Sequence, residues 1–103
     1  MIPSDQTPRQ YMMELLIGAY RSSYELAGWL GIPERLVEDH LRHIAKSVAR
    51  DRIRHFVVDP SMCQECRFVF RERTRLTRAS RCPRCRSESI SSPRFMIELR
   101  PSK

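Results

Sequence analysis

Apolar residues recur at the three-to-four spacing of an amphipathic helix three times in the first fifty positions. Met13, Leu16, Ile17 and Tyr20 form the first set, Leu26, Ala27 and Leu30 the second, and Val37, Leu41, Ile44 and Val48 the third. The first two sets follow sharp start signals. Thr7-Pro8-Arg9-Gln10 offers a hydroxyl N-cap, a proline at the first helical position and Gln three residues after the cap. Ser22 and Glu25 match a second capping box, and Gly31 is placed to end that helix at positive φ. Ile32-Pro33 makes the next turn, because proline disfavours helix in the residue before it. The third helix is expected over residues 34–50. Beyond it the helical period gives way to β-forming runs: residues 53–58, residues 67–71, and Phe95, Ile97 and Leu99 alternating with Arg94, Met96, Glu98 and Arg100.

Three helices with a tight glycine turn between the second and third predict a helix-turn-helix. Ala27 is small where the second and third helices should cross. The later strands, grouped around two cysteine turns, predict a small antiparallel ribbon. The expected class is therefore α+β, with a helix-turn-helix domain and wing strand over residues 1–58 and a ribbon over residues 59–103.

The ribbon's chemistry lies in Cys63-Gln64-Glu65-Cys66 and Cys82-Pro83-Arg84-Cys85, two C-x-x-C pairs separated by 15 residues. Each short pair lets two thiolates meet on one side of a tetrahedron, and this spacing is a zinc pattern. A segment of this size buries too little apolar surface to be comfortably stable alone, so a metal staple is expected. Four thiolates fill the coordination sphere and leave no open position for water. Cys63, Cys66, Cys82 and Cys85 are thus expected to hold one structural Zn²⁺; iron suits the same donors. Arginines 67, 81, 84 and 86 would help stabilise the resulting −2 centre. Two of them, Arg67 and Arg86, stand where such turns commonly carry glycine. No basic start followed by an apolar run opens the chain, which leads us to expect a cytoplasmic protein with reduced cysteines. No stretch approaches the roughly 20 apolar residues of a membrane helix.

Charge sharpens the contrast between the halves. Residues 1–50 carry six Lys and Arg against six Asp and Glu, while residues 51–103 carry thirteen against six, so the whole +7 lies in the second half. Seven arginines and one acid fall within residues 71–86. Arginine stays charged and presents bidentate donors, so Arg71, Arg73, Arg75, Arg78, Arg81 and Arg84 are candidate phosphate contacts. Arg35, Arg42 and Lys46 are the corresponding candidates on the third helix. That helix also carries Glu34, Glu38 and Asp39 near the end expected to enter a major groove, where carboxylates repel phosphate. They favour a protein-docking or dimer face as the competing use. His40 and His43 lack the acidic company of a second metal site, and Trp29, Tyr20 and Tyr24 read as helix contacts.

Leu26-Ala27, Leu30-Gly31-Ile32-Pro33 and Val37 with His40-Leu41 resemble winged helix-turn-helix regulators of the ArsR type. Adding Val57-Val58-Asp59-Pro60 and both cysteine pairs, nearly the whole chain resembles predicted prokaryotic transcriptional regulators in which a helix-turn-helix is fused to a zinc ribbon. That resemblance implies DNA binding in transcription control. The expected partners are DNA and, through the helices, a second copy or another protein, with no membrane and no small-molecule substrate. The competing readings are a zinc-ribbon adaptor between proteins of a transcription or RNA-processing machine, and a rubredoxin-like electron carrier. No nucleophile–base pair or open metal position can be assembled from these residues, so a catalyst is not expected.

Overall fold

The computed structural model of the chain describes Ile2 and residues 4–71 and 73–100. Glu72 of the basic run, together with Met1, Pro3 and residues 101–103 at the ends of the two expected domains, lies outside the described residues. In chain order the elements are α1 (Pro8–Leu16), β1 (Arg21–Ser22), α2 (Ser23–Leu30), α3 (Glu34–Ala49), β2 (Arg54–Asp59) and β3 (Arg94–Leu99). The strands make one antiparallel sheet in the order β1-β3-β2. The chain is thus of mixed class, with three helices against a three-stranded sheet.

Both capping boxes close. The Thr7 hydroxyl accepts from the Gln10 amide at 3.2 Å while the Gln10 side chain accepts from the Thr7 amide at 2.8 Å. Ser22 and Glu25 exchange the same pair at 3.1 and 2.9 Å. Gly31 stops α2 at φ 70°, its amide donating to the Ala27 carbonyl at 2.9 Å. Pro33 gives α3 no side-chain cap. Instead the Ser23 hydroxyl donates to the Glu34 carboxylate at 2.7 Å and ties the two helix starts together.

The third helical set is read correctly: Val37, Leu41, Ile44 and Val48 are all buried. The first set holds in part, with Leu16 buried and Met13 packed against the core. The buried residues of α1 are Met12 and Leu16, one turn apart, and Ile17 and Tyr20 lie beyond the helix and largely exposed. Gly18 takes φ 73° and donates its amide to the Ile97 carbonyl at 3.1 Å, so the chain leaves the helix at Leu16, four residues earlier than the apolar spacing suggests.

A larger correction concerns the strands. Residues 53–58 are expected as the wing strand that leads into the first cysteine turn, and residues 94–99 as a strand of the ribbon. β2 and β3 instead pair with each other over six residues, Arg54 opposite Leu99 through Asp59 opposite Arg94, and β3 also pairs with β1. Phe95 and Ile97 of β3 are fully buried in the helical core with Met12, Leu16, Leu26 and Leu41, and Phe56 stacks on Phe95. Burying side chains of this size stabilises by about 1.5–3 kcal/mol each, which only the helical layer can supply. The ribbon, centred on Cys63, Cys82, Ala79 and Ile90 with Phe68 and Phe70 beside them, has no place for them. The cysteine-bearing segment is therefore an excursion from the end of β2 to the start of β3. Its two ends leave and rejoin adjacent antiparallel strands.

Candidate metal centre and basic loop

Each C-x-x-C pair sits in a turn of the same construction. The amide of Arg67 donates to the Cys63 carbonyl at 2.9 Å, and that of Arg86 to the Cys82 carbonyl at 2.8 Å. The turns then close with Cys63 donating to the Phe68 carbonyl and Cys82 to the Ser87 carbonyl, both at 2.8 Å. Such a closure requires a left-handed residue after each second cysteine. Arg67 at φ 67° and Arg86 at φ 65° occupy those positions. These are the two residues flagged in the sequence, and each holds a conformation that glycine adopts more cheaply.

The turns bring all four Sγ atoms within 4.8 Å of one another. Cys63 and Cys85 approach at 3.5 Å and Cys66 and Cys82 at 3.6 Å, too far apart for disulfides, and all four cysteines are free. A tetrahedron of thiolates about 2.3 Å from a zinc ion has sulfur–sulfur edges of about 3.8 Å, so the donor set fits a single ion. The amides prepare it. Hydrogen bonds from the amides of Cys66 and Glu65 hold the Cys63 thiol down, to about 6. At Cys85 the Ser87 amide favours the thiolate, but burial and three neighbouring sulfurs outweigh it and push the thiol up to about 12. Four thiolates at this spacing repel one another, and a divalent cation among them removes the conflict.

The loop between the cysteine pairs does not project freely. Glu38, on the flank of α3, is 3% exposed and accepts three hydrogen bonds: from the Leu76 amide at 2.6 Å, Arg75 Nε at 3.1 Å and an Arg42 guanidinium nitrogen at 3.3 Å. The same Arg42 nitrogen also donates to the Thr74 carbonyl at 3.3 Å. Burial opposes the charge on Glu38, but the Leu76 amide and the two guanidiniums more than offset it, so the carboxyl titrates below its ordinary value. The Leu76 side chain packs against the helical core. Glu38 thus acts as the anchor of the basic loop, not as the solvent-facing acid expected from its place near the start of α3. Asp39 does remain exposed, 3.8 Å from Arg42. His40 accepts from Arg9 Nε at 3.1 Å; burial and the positive charge of Arg9 lower its pKa.

All nine basic candidates are exposed, but they differ in commitment. Arg42 and Arg75 are drawn to Glu38. Arg73 donates to the Thr77 carbonyl, Arg78 to the Ile90 carbonyl, and Arg81 stands 3.9 Å from Glu88. The side chains of Arg35, Lys46, Arg71 and Arg84 have no hydrogen bond or ion pair among the described residues. Arg35, Arg42 and Lys46 share the open face of α3, and the Glu38 anchor sets the ribbon's loop along its edge. Sequence reasoning missed Glu38 and Leu76 as the docking pair. A lone leucine within a run of arginines was the available signal. Among the described residues no helix is long and apolar enough to cross a membrane.

Comparison with known proteins matches each part of the chain, counting residues 94–99 with the ribbon although they pack on the helical core. Residues 7–57 match a family described as PF0610-like, N-terminal, and residues 60–100 match the PF0610 rubredoxin-like zinc beta-ribbon domain. No curated protein matches the chain. The solution structure of protein PF0610 from Pyrococcus furiosus is similar at 32% identity, over 95% of this chain and 93% of that one, with a TM-score of 0.72. With four converging thiols in a ribbon of that kind, Cys63, Cys66, Cys82 and Cys85 hold one structural zinc. The chain belongs to the PF0610-like family, an N-terminal helical domain joined to a rubredoxin-like zinc ribbon.

Proposed function

We propose that the chain is a cytoplasmic, DNA-binding transcriptional regulator whose helical part works as a winged helix-turn-helix and whose ribbon extends the wing. The order α1-β1-α2-α3-β2-β3 with sheet order β1-β3-β2 supports the winged reading, since the ribbon then emerges between the two wing strands. The observation that carries the proposal is the Glu38 anchor. It removes the most damaging acid from α3 and sets the arginine loop beside the open basic face of that helix. Phosphates tracked by Arg35 and Lys46 would then meet Arg84 and the loop arginines. The zinc holds shape and takes no part in a reaction.

Fluorescence anisotropy with mixed-sequence duplex DNA at several salt concentrations tests this. Four to six phosphate contacts give a log–log salt slope on the order of −4 to −5. Arg35→Ala, Lys46→Ala and Arg84→Ala should each reduce that slope by about one. No binding at low salt by folded, zinc-loaded protein overturns the reading.

One observation favours the adaptor as second reading. Tyr24 and Trp29 are 74% and 39% exposed and line one hollow on α2, a surface suited to a protein contact. Duplex binding that is unaffected by Tyr24→Ala separates the two.

A further inference from the structure

Where the ribbon leaves β2, a cavity of about 60 Å³ lies beneath the basic loop. Phe70 and Phe95 contribute apolar wall, and Arg71, Arg73 and Arg75 line it from the loop. Ser61 lines it too. That serine is 2% exposed, and its hydroxyl finds no hydrogen-bond partner among the described residues. Its carbonyl accepts from the Phe70 amide at 2.9 Å, so that oxygen is satisfied while the hydroxyl is not. Buried hydroxyls are nearly always bonded, and the exceptions call for an explanation.

A single water would satisfy the hydroxyl. It would leave unanswered the positive charge of the arginines that line the same small space, of which only Arg75 is matched by a carboxylate. Their commitments differ. Arg75 shares Glu38, Arg73 makes only a long bond of 3.4 Å to the Thr77 carbonyl, and Arg71 has no partner among the described residues. A tetrahedral oxyanion satisfies both sides at once, accepting from the hydroxyl with one oxygen and from guanidiniums with the others.

We propose that this cavity seats one phosphate-type oxyanion, with the Ser61 hydroxyl at its floor and Arg71 and Arg73 at its mouth. The oxyanion comes either from free phosphate or from a DNA backbone. Only the second source rests on the reading of the protein as a DNA binder.

The test uses zinc-loaded full-length protein and inorganic phosphate, titrated against chloride at constant ionic strength. Binding is followed by the shift of the Ser61 and Phe70 amide resonances and by melting temperature. Phosphate should shift both amides and raise the melting temperature. Ser61→Ala and Arg71→Ala should each weaken the response about tenfold or more, the loss expected for a charge-assisted hydrogen bond, while Arg52→Ala, with the same loss of charge away from the cavity, keeps it. Without phosphate, Ser61→Ala should melt no lower than the parent, because it removes an unpartnered group. A parent that ignores phosphate, or a response equal in parent and Ser61→Ala, overturns the proposal and leaves water as the occupant. Duplex binding by the same variants identifies the source. A tenfold weaker duplex complex in Ser61→Ala assigns the seat to a backbone phosphate. Unchanged duplex affinity, or no duplex binding at all, together with a lost phosphate response, assigns it to the free ion.

Discussion

Replacing Glu38 tests how the ribbon is held on the helical body. Glu38→Ala leaves the Leu76 amide without its acceptor and leaves Arg75 and Arg42 facing each other across a vacated site. The amide bond is the largest contribution, because it is short, buried and made to a charged acceptor, and such bonds contribute about 1.5–3 kcal/mol. The two guanidiniums are 58% and 44% exposed, so solvent screening holds each to less than about 1 kcal/mol. The expected loss is about 2–4 kcal/mol, which lowers the melting temperature by about 10–20 °C for a chain of this size.

Two further readouts distinguish an anchor from an ordinary buried acid. Amide hydrogen exchange at Leu76 should accelerate strongly in Glu38→Ala, while amides in the middle of α3 retain most of their protection. Glu38→Gln, which keeps an acceptor oxygen but not the charge, should fall between the parent and Glu38→Ala. The pH dependence follows from the lowered carboxyl pKa. The contribution is fully present above the ordinary value of 4.5 and is lost as pH falls through the lower folded-state value, so parent and Glu38→Gln should converge in stability only in acid. A Glu38→Ala protein that melts within about 0.5 kcal/mol of the parent, the scatter of an ordinary surface substitution, with Leu76 exchange unchanged, refutes the anchor.

Arg67→Gly and Arg86→Gly should each stabilise the metal-loaded protein by about 1 kcal/mol by removing left-handed strain, measured by chemical denaturation; a loss of stability would show that the arginines contribute more as cations near the zinc than they cost as strained residues. Removing zinc with a chelator under reducing conditions should release the Leu76 amide to exchange while far-ultraviolet dichroism retains most of the helical signal, and simultaneous loss of α1–α3 would show instead that metal and helices form one cooperative unit. Asp51 accepts from the amides of Ile53 and Arg54 and from the Arg54 guanidinium, which hold its carboxyl down, to about 2. The turn from α3 into β2 should therefore keep its protection until well below pH 3.8 and lose it as pH approaches 2, whereas Asp51→Ala should lack that acid transition.

The helix starts and the metal ligands were legible because both are written in local spacing. Ser22 and Glu25 meet across one helical turn whatever the rest of the chain does, and a C-x-x-C turn needs only its own five or six residues. The strand partners were not legible for the opposite reason. Phe95 and Ile97 announce a half-buried strand, but alternation says nothing of which core the buried face will meet. That depended on comparing a helical layer with room for a phenylalanine against a ribbon whose interior is two thiols, Ala79 and Ile90. Glu38 was misread through the same gap. An acid near the start of the third helix looks as if it faces a groove or a partner protein, and only a loop 37 residues away turns it into a buried acceptor.

The placement of the ribbon also explains how so small a unit is oriented with Leu76 of its loop packed on the helical core. Its two ends are fixed by neighbouring residues of one ladder, Asp59 opposite Arg94, which are further joined by a 2.6 Å ion pair. A segment so closed loses less entropy on ordering than a free tail would, since the sheet has already brought its ends together. The metal then fixes the interior of the loop, and the remaining freedom, a swing about the Asp59–Arg94 base, is what Glu38 and Leu76 oppose from the far side. Base and anchor therefore act on the same hinge from opposite ends. Weakening the Asp59–Arg94 pair alone should change the ribbon's orientation little while Glu38 is in place, and the two substitutions together should cost more than the sum of their separate effects.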